Sequence, residues 1–302
     1  MKKISFLLLI AFTFIGCKDA AEDNGKIKVV TTTNILADLV SEIGGDNISQ
    51  QSLMGAGVDP HLYKASEGDV TKLYNADIIF YSGLHLEGKL VDIFERMKGK
   101  KHTVSLGDGL PKEQLIASAH FGGNYDPHVW FNIHFFKEFA RIVTDELSKA
   151  DEENAETYAA NNEAYQKKLD ALEEEVKAII NTLPKDKRIL VTAHDAFNYF
   201  GNAYDFQVVG LQGISTATEA GVKDVQELSE FIIQNKVKAI FIESSVPRRT
   251  IEALREAVLS KKHNVEIGGS LYSDALGNPG TDEGTYIGMF KYNVNTIVNA
   301  LK

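Results

Sequence analysis

The chain has 302 residues, 44% of them hydrophobic and 25% charged, with a formal net charge of −10 at pH 7. Length and apolar content supply a sizeable globular core and make two domains the natural expectation. The acidic balance disfavours nucleic acid as a partner, and a single cysteine, Cys17, excludes an intramolecular disulfide or a thiolate-built metal centre.

The chain begins with Lys2 and Lys3 followed by an apolar run from Ile4 to Ile15, too short to span a bilayer. This pattern predicts an export leader over residues 1–17. The junction Phe14-Ile15-Gly16-Cys17 resembles a bacterial lipobox, with Phe14 where leucine is usual, and so implies lipid attachment at Cys17. The mature protein is then expected outside the cytoplasm, in a periplasm or on a cell surface, held to a membrane by its N-terminal lipid. Removing the leader takes away Lys2 and Lys3 and leaves the mature chain more acidic still. Residues 18–26 are small and polar, the composition of a flexible tether.

From Ile27 onward, short apolar runs alternate with amphipathic segments. Strands are predicted at Lys28 to Thr32, Ile48 to Leu53 and Ile78 to Tyr81, with helices at Ile35 to Ile43, around Val70 to Tyr74 and at Leu90 to Met97. A further helix, capped by Asn132, follows. Between Tyr158 and Leu183, apolar residues recur at steps of three, four or seven among Glu, Lys and Asn, which predicts one long helix ended by Pro184. Lys185 to Arg188 read as a charged turn. The second half repeats the rhythm, with strands at Ile189 to Thr192, Phe206 to Val209, Ala239 to Ile242 and Val265 to Gly268, and helices between them and at Thr285 to Leu301. Strands taking turns with helices imply an α/β fold with mostly parallel sheets. The expected division is an N-terminal lobe over 27–154, a linking helix over 155–184 and a C-terminal lobe over 185–302.

Asp-Pro-His occurs twice, at Asp59-Pro60-His61 and Asp126-Pro127-His128, and His194 and Asp274 follow at comparable long intervals. Each of the four is predicted in a loop at the carboxyl end of a strand, where open α/β sheets bind ligands. Proline at 60 and 127 restricts the approach of each following histidine, because it fixes its own φ and holds the preceding residue extended. Three imidazoles and one carboxylate form a closed set that suits four-coordinate Zn²⁺, while a bidentate Asp274 would suit Mn²⁺. His85, His102, His120, His134 and His263 have no paired motif and are read as ordinary side chains; His134 lies among Phe131, Phe135, Phe136 and Phe139.

These segments resemble the metal-specific solute-binding proteins of ABC importers for zinc and manganese, the TroA-like group. The resemblance covers Ile27 to Leu301. It is carried by 57–63 (GVDPHLY), 125–130 (YDPHVW), 191–197 (VTAHDAF), Glu219-Ala220, 241–245 (FIESS) and 271–274 (LYSD). It implies two four-stranded α/β lobes joined by a rigid helix, with the metal between them on His61, His128, His194 and Asp274. It also implies a monomer that delivers its metal to a membrane permease. Manganese-specialised members usually carry Glu where this chain has His194, and many zinc-specialised members carry a long His- and acid-rich loop that this chain lacks. Zinc is therefore the expected cargo, with manganese plausible beside it.

Two other functions compete. A zinc held by three histidines could activate water in a hydrolase, but the fourth ligand closes the shell and no HExxH motif is present. A surface adhesin stabilised by its metal is the third reading. For a transport protein, the rigid helix predicts release by local movement of one ligand loop, placed on the Asp274 side because proline or strand braces the histidines.

Overall fold

The computed structural model describes residues 25–118 and 121–302. The expected leader, Cys17, most of the tether and His120 lie outside them. Among the described residues no helix is long and apolar enough to cross a membrane.

The N-terminal half is built on strands β1 (Ile27–Thr31), β2 (Ile48–Ser52), β3 (Ile78–Tyr81) and β4 (His102–Ser105), all parallel, in the order β2-β1-β3-β4. Apolar runs mark β1 and β3, whereas the edge strands β2, with the sequence ISQQS, and β4, with HTVS, show no such run. Helix α1 (Asn34–Gly44) is capped by Thr33, whose hydroxyl accepts from the Leu36 N–H. Helices α2 (Glu67–Asn75) and α3 (Val91–Met97) follow. At the start of α2, Ser66 and Asp69 form a reciprocal capping box. Helix α4 (Ile133–Ala150) begins on Asn132, whose side chain accepts from the His134 N–H as the sequence predicts.

Helix α5 runs Ala155–Ile180 and buries the predicted stripe of Tyr158, Tyr165, Leu169, Leu172 and Val176. It stops four residues short of Pro184, and Arg188 caps its end. That residue is not part of a solvated charged turn: it is buried, and its guanidinium donates to the carbonyls of Ile180, Leu183 and Tyr204. An arginine thereby satisfies carbonyls that every helix end leaves without an intrahelical donor.

The second half carries β5 (Ile189–His194), α6 (Asn198–Tyr204), β6 (Gln207–Gln212), α7 (Val222–Gln234), β7 (Ala239–Glu243), α8 (Arg249–Ser260), β8 (Glu266–Leu271) and α9 (Tyr286–Leu301). Its four strands are hydrogen-bonded as two parallel pairs, β5–β6 and β7–β8, rather than as one four-stranded ladder. β5 and β7 lie side by side and share one apolar cluster. At their carboxyl ends a side chain joins them, since the His194 N–H donates to the Glu243 carboxylate at 2.9 Å.

The largest apolar cluster is common to both halves. It contains β1 and β3 residues, the inner faces of α1, α4 and α5, and also Leu190, Phe241 and α9. Separate clusters fill the outer layer of each half, under α2 and α3 in the first and under α7 and α8 in the second. Helix α5 thus backs a core continuous across the molecule, and swinging the halves apart would expose that shared apolar surface to water.

Candidate metal centre

Three loops and the end of one strand deliver the predicted side chains to one place. His61 sits between β2 and α2, and His128 precedes the short 3₁₀ turn Val129–Phe131 that leads into α4. His194 is the last residue of β5, and Asp274 follows β8. One ligand atom from each lies within 4.8 Å of all the others, and all four residues are buried. Among the described residues no other His, Cys, Asp or Glu group forms such a set.

The separations have a chemical meaning. Nε2 of His128 is 3.3 Å from Nε2 of His61 and 3.3 Å from Nε2 of His194. The Asp274 carboxylate lies 3.4 Å from Nε2 of His128 through Oδ1 and 3.4 Å from Nε2 of His194 through Oδ2. With metal–ligand bonds of about 2.0–2.1 Å, the edge of a coordination tetrahedron is about 3.3–3.4 Å. The contacts between His128, its two imidazole neighbours and the carboxylate have that length.

The surroundings set which ring nitrogens face inward. Asp126 Oδ1 lies 2.7 Å from Nδ1 of His128 in a hydrogen bond, and Glu243 Oε2 lies 2.6 Å from Nδ1 of His194 in an ion-pair contact that is not a hydrogen bond. A carboxylate beside Nδ1 keeps the proton on that nitrogen and leaves the Nε2 lone pair free. Two such lone pairs facing each other at 3.3 Å repel unless a cation or a proton sits between them. His61 differs in the carboxylate contact: its Nδ1, which like that of His194 makes no hydrogen bond, has no carboxylate paired with it.

Electrostatics divide the histidines in the same way. Burial pushes the His61 imidazole down to about 3. Burial also acts downward on His128, but Asp126 and Asp274 outweigh it and raise the ring above its ordinary value. For His194, Glu243 and Asp274 overcome burial by more and hold it well above that value. Burial works against the charged Asp274 carboxylate, yet His194 and His128 keep it well below the usual range. Paired charges inside a dry site decide these directions.

The site-supporting residues are those the sequence reading leaves without a role. Glu243 closes the apolar run of β7 as its one acid, and a buried acid at a strand end is a signal that can be read. In the first Asp-Pro-His, Asp59 Oδ1 accepts the His61 N–H at 2.8 Å, while Oδ2 accepts the Thr216 hydroxyl at 2.6 Å from the other half of the chain. Gly57, at φ 70°, brings this loop against Ser244 in a conformation that other residues rarely adopt. Asn198 donates to Asp126 Oδ2 at 3.0 Å, and Ser245 donates to Asp274 Oδ2 at 3.2 Å.

The Asp274 loop is tied down more firmly than the sequence reading supposes. Asn34 accepts from the Leu276 N–H at 3.0 Å and donates to its carbonyl at 3.3 Å. The remaining described histidines stay outside the cluster; His102, for instance, lies 2.7 Å from Glu146.

Residues 29–300 match the family described as zinc-uptake complex component A, periplasmic (ZnuA). The chain is 47% identical over 295 residues to the zinc-binding protein TroA of Treponema pallidum, covering 97% of this chain and 95% of that protein. It is 44% identical over 299 residues to the manganese-binding lipoprotein MntA of Bacillus subtilis, covering 98% and 97%. The solved structure of the periplasmic zinc-binding protein TroA from Treponema pallidum superposes with a TM-score of 0.90 at 46% identity, over 92% of this chain and 99% of that one. The chain therefore belongs to the ZnuA family of metal-binding proteins, within its TroA-like branch.

Proposed function

We propose that this protein binds a divalent transition metal, zinc or manganese, outside the cytoplasm and hands it to the permease of an ABC importer. His61, His128, His194 and Asp274 are the ligands in this reading. The observation that carries it is the set of tetrahedral-edge separations among buried ligand atoms, two of whose imidazoles are backed by carboxylates. Relatives named for zinc and for manganese both align along nearly the whole chain, in keeping with a three-nitrogen, one-oxygen set that accepts either ion.

The protein acts as a binding protein rather than an enzyme. A catalytic zinc keeps an open position for water, whereas four protein groups close the shell here and burial keeps bulk water from it. Cys17 carries the lipid that tethers a monomeric body to the membrane, and the body divides into lobes over 27–154 and 185–302 about a linking helix over 155–184. Release begins at His61, which lacks the carboxylate contact that each of the other two imidazoles makes through Nδ1. The Asp274 loop, bound through Asn34 and Ser245, stays in place. This reverses the order that chain pattern alone suggests.

Calorimetric titration of the metal-free mature protein with zinc and with manganese, together with elemental analysis of protein from its native source, tests the reading. One tightly held ion per chain is expected. Absence of saturable binding by either metal would refute it.

A further inference from the structure

Trp130 is the only tryptophan in the chain, and it is buried. It stands two residues after His128 with its ring edge-on to that imidazole, the centroids 5.3 Å apart at an interplanar angle of 71°. Its carbonyl accepts the Tyr286 hydroxyl at 2.7 Å, which pins the backbone of the 3₁₀ turn. Its indole N–H points the other way and donates to the carbonyl of Ser273 at 3.0 Å, across 143 residues of sequence.

Asp274 directly follows that carbonyl. It lies beyond the end of β8, so no strand ladder orients its backbone, and no proline precedes it. Its carboxylate has one protein hydrogen-bond donor, Ser245, on Oδ2, while Oδ1 has no hydrogen-bond partner. A peptide plane between two flexible dihedrals can rock without breaking any covalent geometry, and each tilt would carry the following carboxylate with it. The indole N–H removes that freedom by gripping the carbonyl of the plane.

We propose that Trp130 is a positioning residue for the carboxylate ligand. Its N–H fixes the Ser273–Asp274 peptide so that the carboxylate meets the three imidazoles, and its ring packs against His128 in the same unit. A ligand of the C-terminal half is thereby aligned by the turn that presents a ligand of the N-terminal half. This inference rests on the metal-binding reading, and it adds to that reading a residue that touches no metal.

Because the chain has one tryptophan, incorporating an analogue throughout the full-length protein alters this position alone. β-(3-Benzothienyl)alanine keeps the bicyclic ring and deletes the N–H, whereas 5-fluorotryptophan keeps both. Zinc affinity is measured by competition with a chromophoric chelator, in the wild-type background and in Asp274→Ala. The benzothienyl analogue should weaken zinc binding about tenfold in the wild-type background, the scale of a lost outer hydrogen bond. It should leave Asp274→Ala unchanged, because the group it positions is gone. The fluorinated analogue should bind like wild type.

Cobalt(II) is the second probe: the benzothienyl protein should move the visible bands toward those of Asp274→Ala. Equal zinc affinity with and without the N–H would overturn the proposal. So would an equal loss in both backgrounds, which marks a purely structural tryptophan. Tryptophan-containing wild-type protein that fails to bind zinc or cobalt would instead refute the metal-binding reading itself.

Discussion

Asp126 and His128 form a closed unit within a single Asp-Pro-His: one carboxylate oxygen of Asp126 takes both the His128 N–H at 3.0 Å and the ring Nδ1 at 2.7 Å. The identical tripeptide at 59–61 is used differently. Asp59 accepts only the His61 N–H and turns its second oxygen to Thr216. One motif therefore orients a ring, and the other ties a ligand loop to the opposite half of the molecule. Asp126→Asn should lower metal affinity about 10- to 100-fold by removing the charge that keeps the Nδ1 proton in place. Isothermal titration of the metal-free variant checks this, and an unchanged dissociation constant would count against the outer-partner role.

Thr216→Val deletes the hydroxyl that Asp59 accepts while keeping the volume. If His61 is the ligand that leaves first, loosening its loop should raise the rate of metal loss to a chelator several-fold and change the rate of capture less. Stopped-flow exchange measures both rates. An unaltered off-rate would return the release step to the Asp274 side.

His61→Ala removes one of four ligands and should weaken zinc more than about a hundredfold, at about 1.4 kcal/mol for each factor of ten. His263 lies outside the ligand cluster, and His263→Ala should change nothing. Comparable affinities in the two variants would refute the ligand assignment.

The directions of the histidine shifts set how pH should act. His128 and His194 titrate above the ordinary value of 6.5, so protons begin to compete with metal above that pH, and affinity should fall as acid is added. In the metal-free protein the same groups stabilise the fold while protonated. A raised folded-state value contributes stability that is complete below the unfolded value and is lost as pH rises through the folded one. The gain in melting temperature on adding zinc should therefore widen with rising pH across this window. Calorimetry of both forms at several pH values tests this, and a gap that narrows would contradict the charge pairing described.

Arg188→Met should destabilise the metal-free protein by about 2–3 kcal/mol, since three carbonyls lose a charged donor while the aliphatic volume stays. Metal affinity measured well below the transition should stay close to wild type. Chemical denaturation followed by circular dichroism gives the first quantity. A loss below about half a kcal/mol would show that solvent can replace the guanidinium.

Stripping the metal with a chelator should leave the α/β circular dichroism spectrum in place, because the shared core does not pass through the ligands. Adding zinc back at a thousandfold excess over its dissociation constant should restore about 4 kcal/mol. Unfolding on chelation would favour a metal that is structural.

Local rules written into the chain were enough for most of the elements, though not for β4. Short apolar runs mark β1 and β3, a period of 3.6 marks the stripe of α5, and Asn132 announces the start of α4. They were also enough to nominate His61, His128 and His194, because a repeated tripeptide and strand-end placement are properties of short segments, whereas Asp274 drew its weight from the family resemblance. What surrounds those four was decided only by tertiary structure. Arg188 reads as one more charge in a turn until the ends of α5 and α6 bring their carbonyls to it. The contacts of Glu243 with His194, Thr216 with Asp59 and Trp130 with Ser273 join residues 49, 157 and 143 positions apart. Side-chain periodicity has a range of a few residues, while a hydrogen bond depends on where two distant segments are carried by the packing of a common core. The candidate ligands were therefore legible in the chain and its resemblance, and the residues that surround them were settled by the fold.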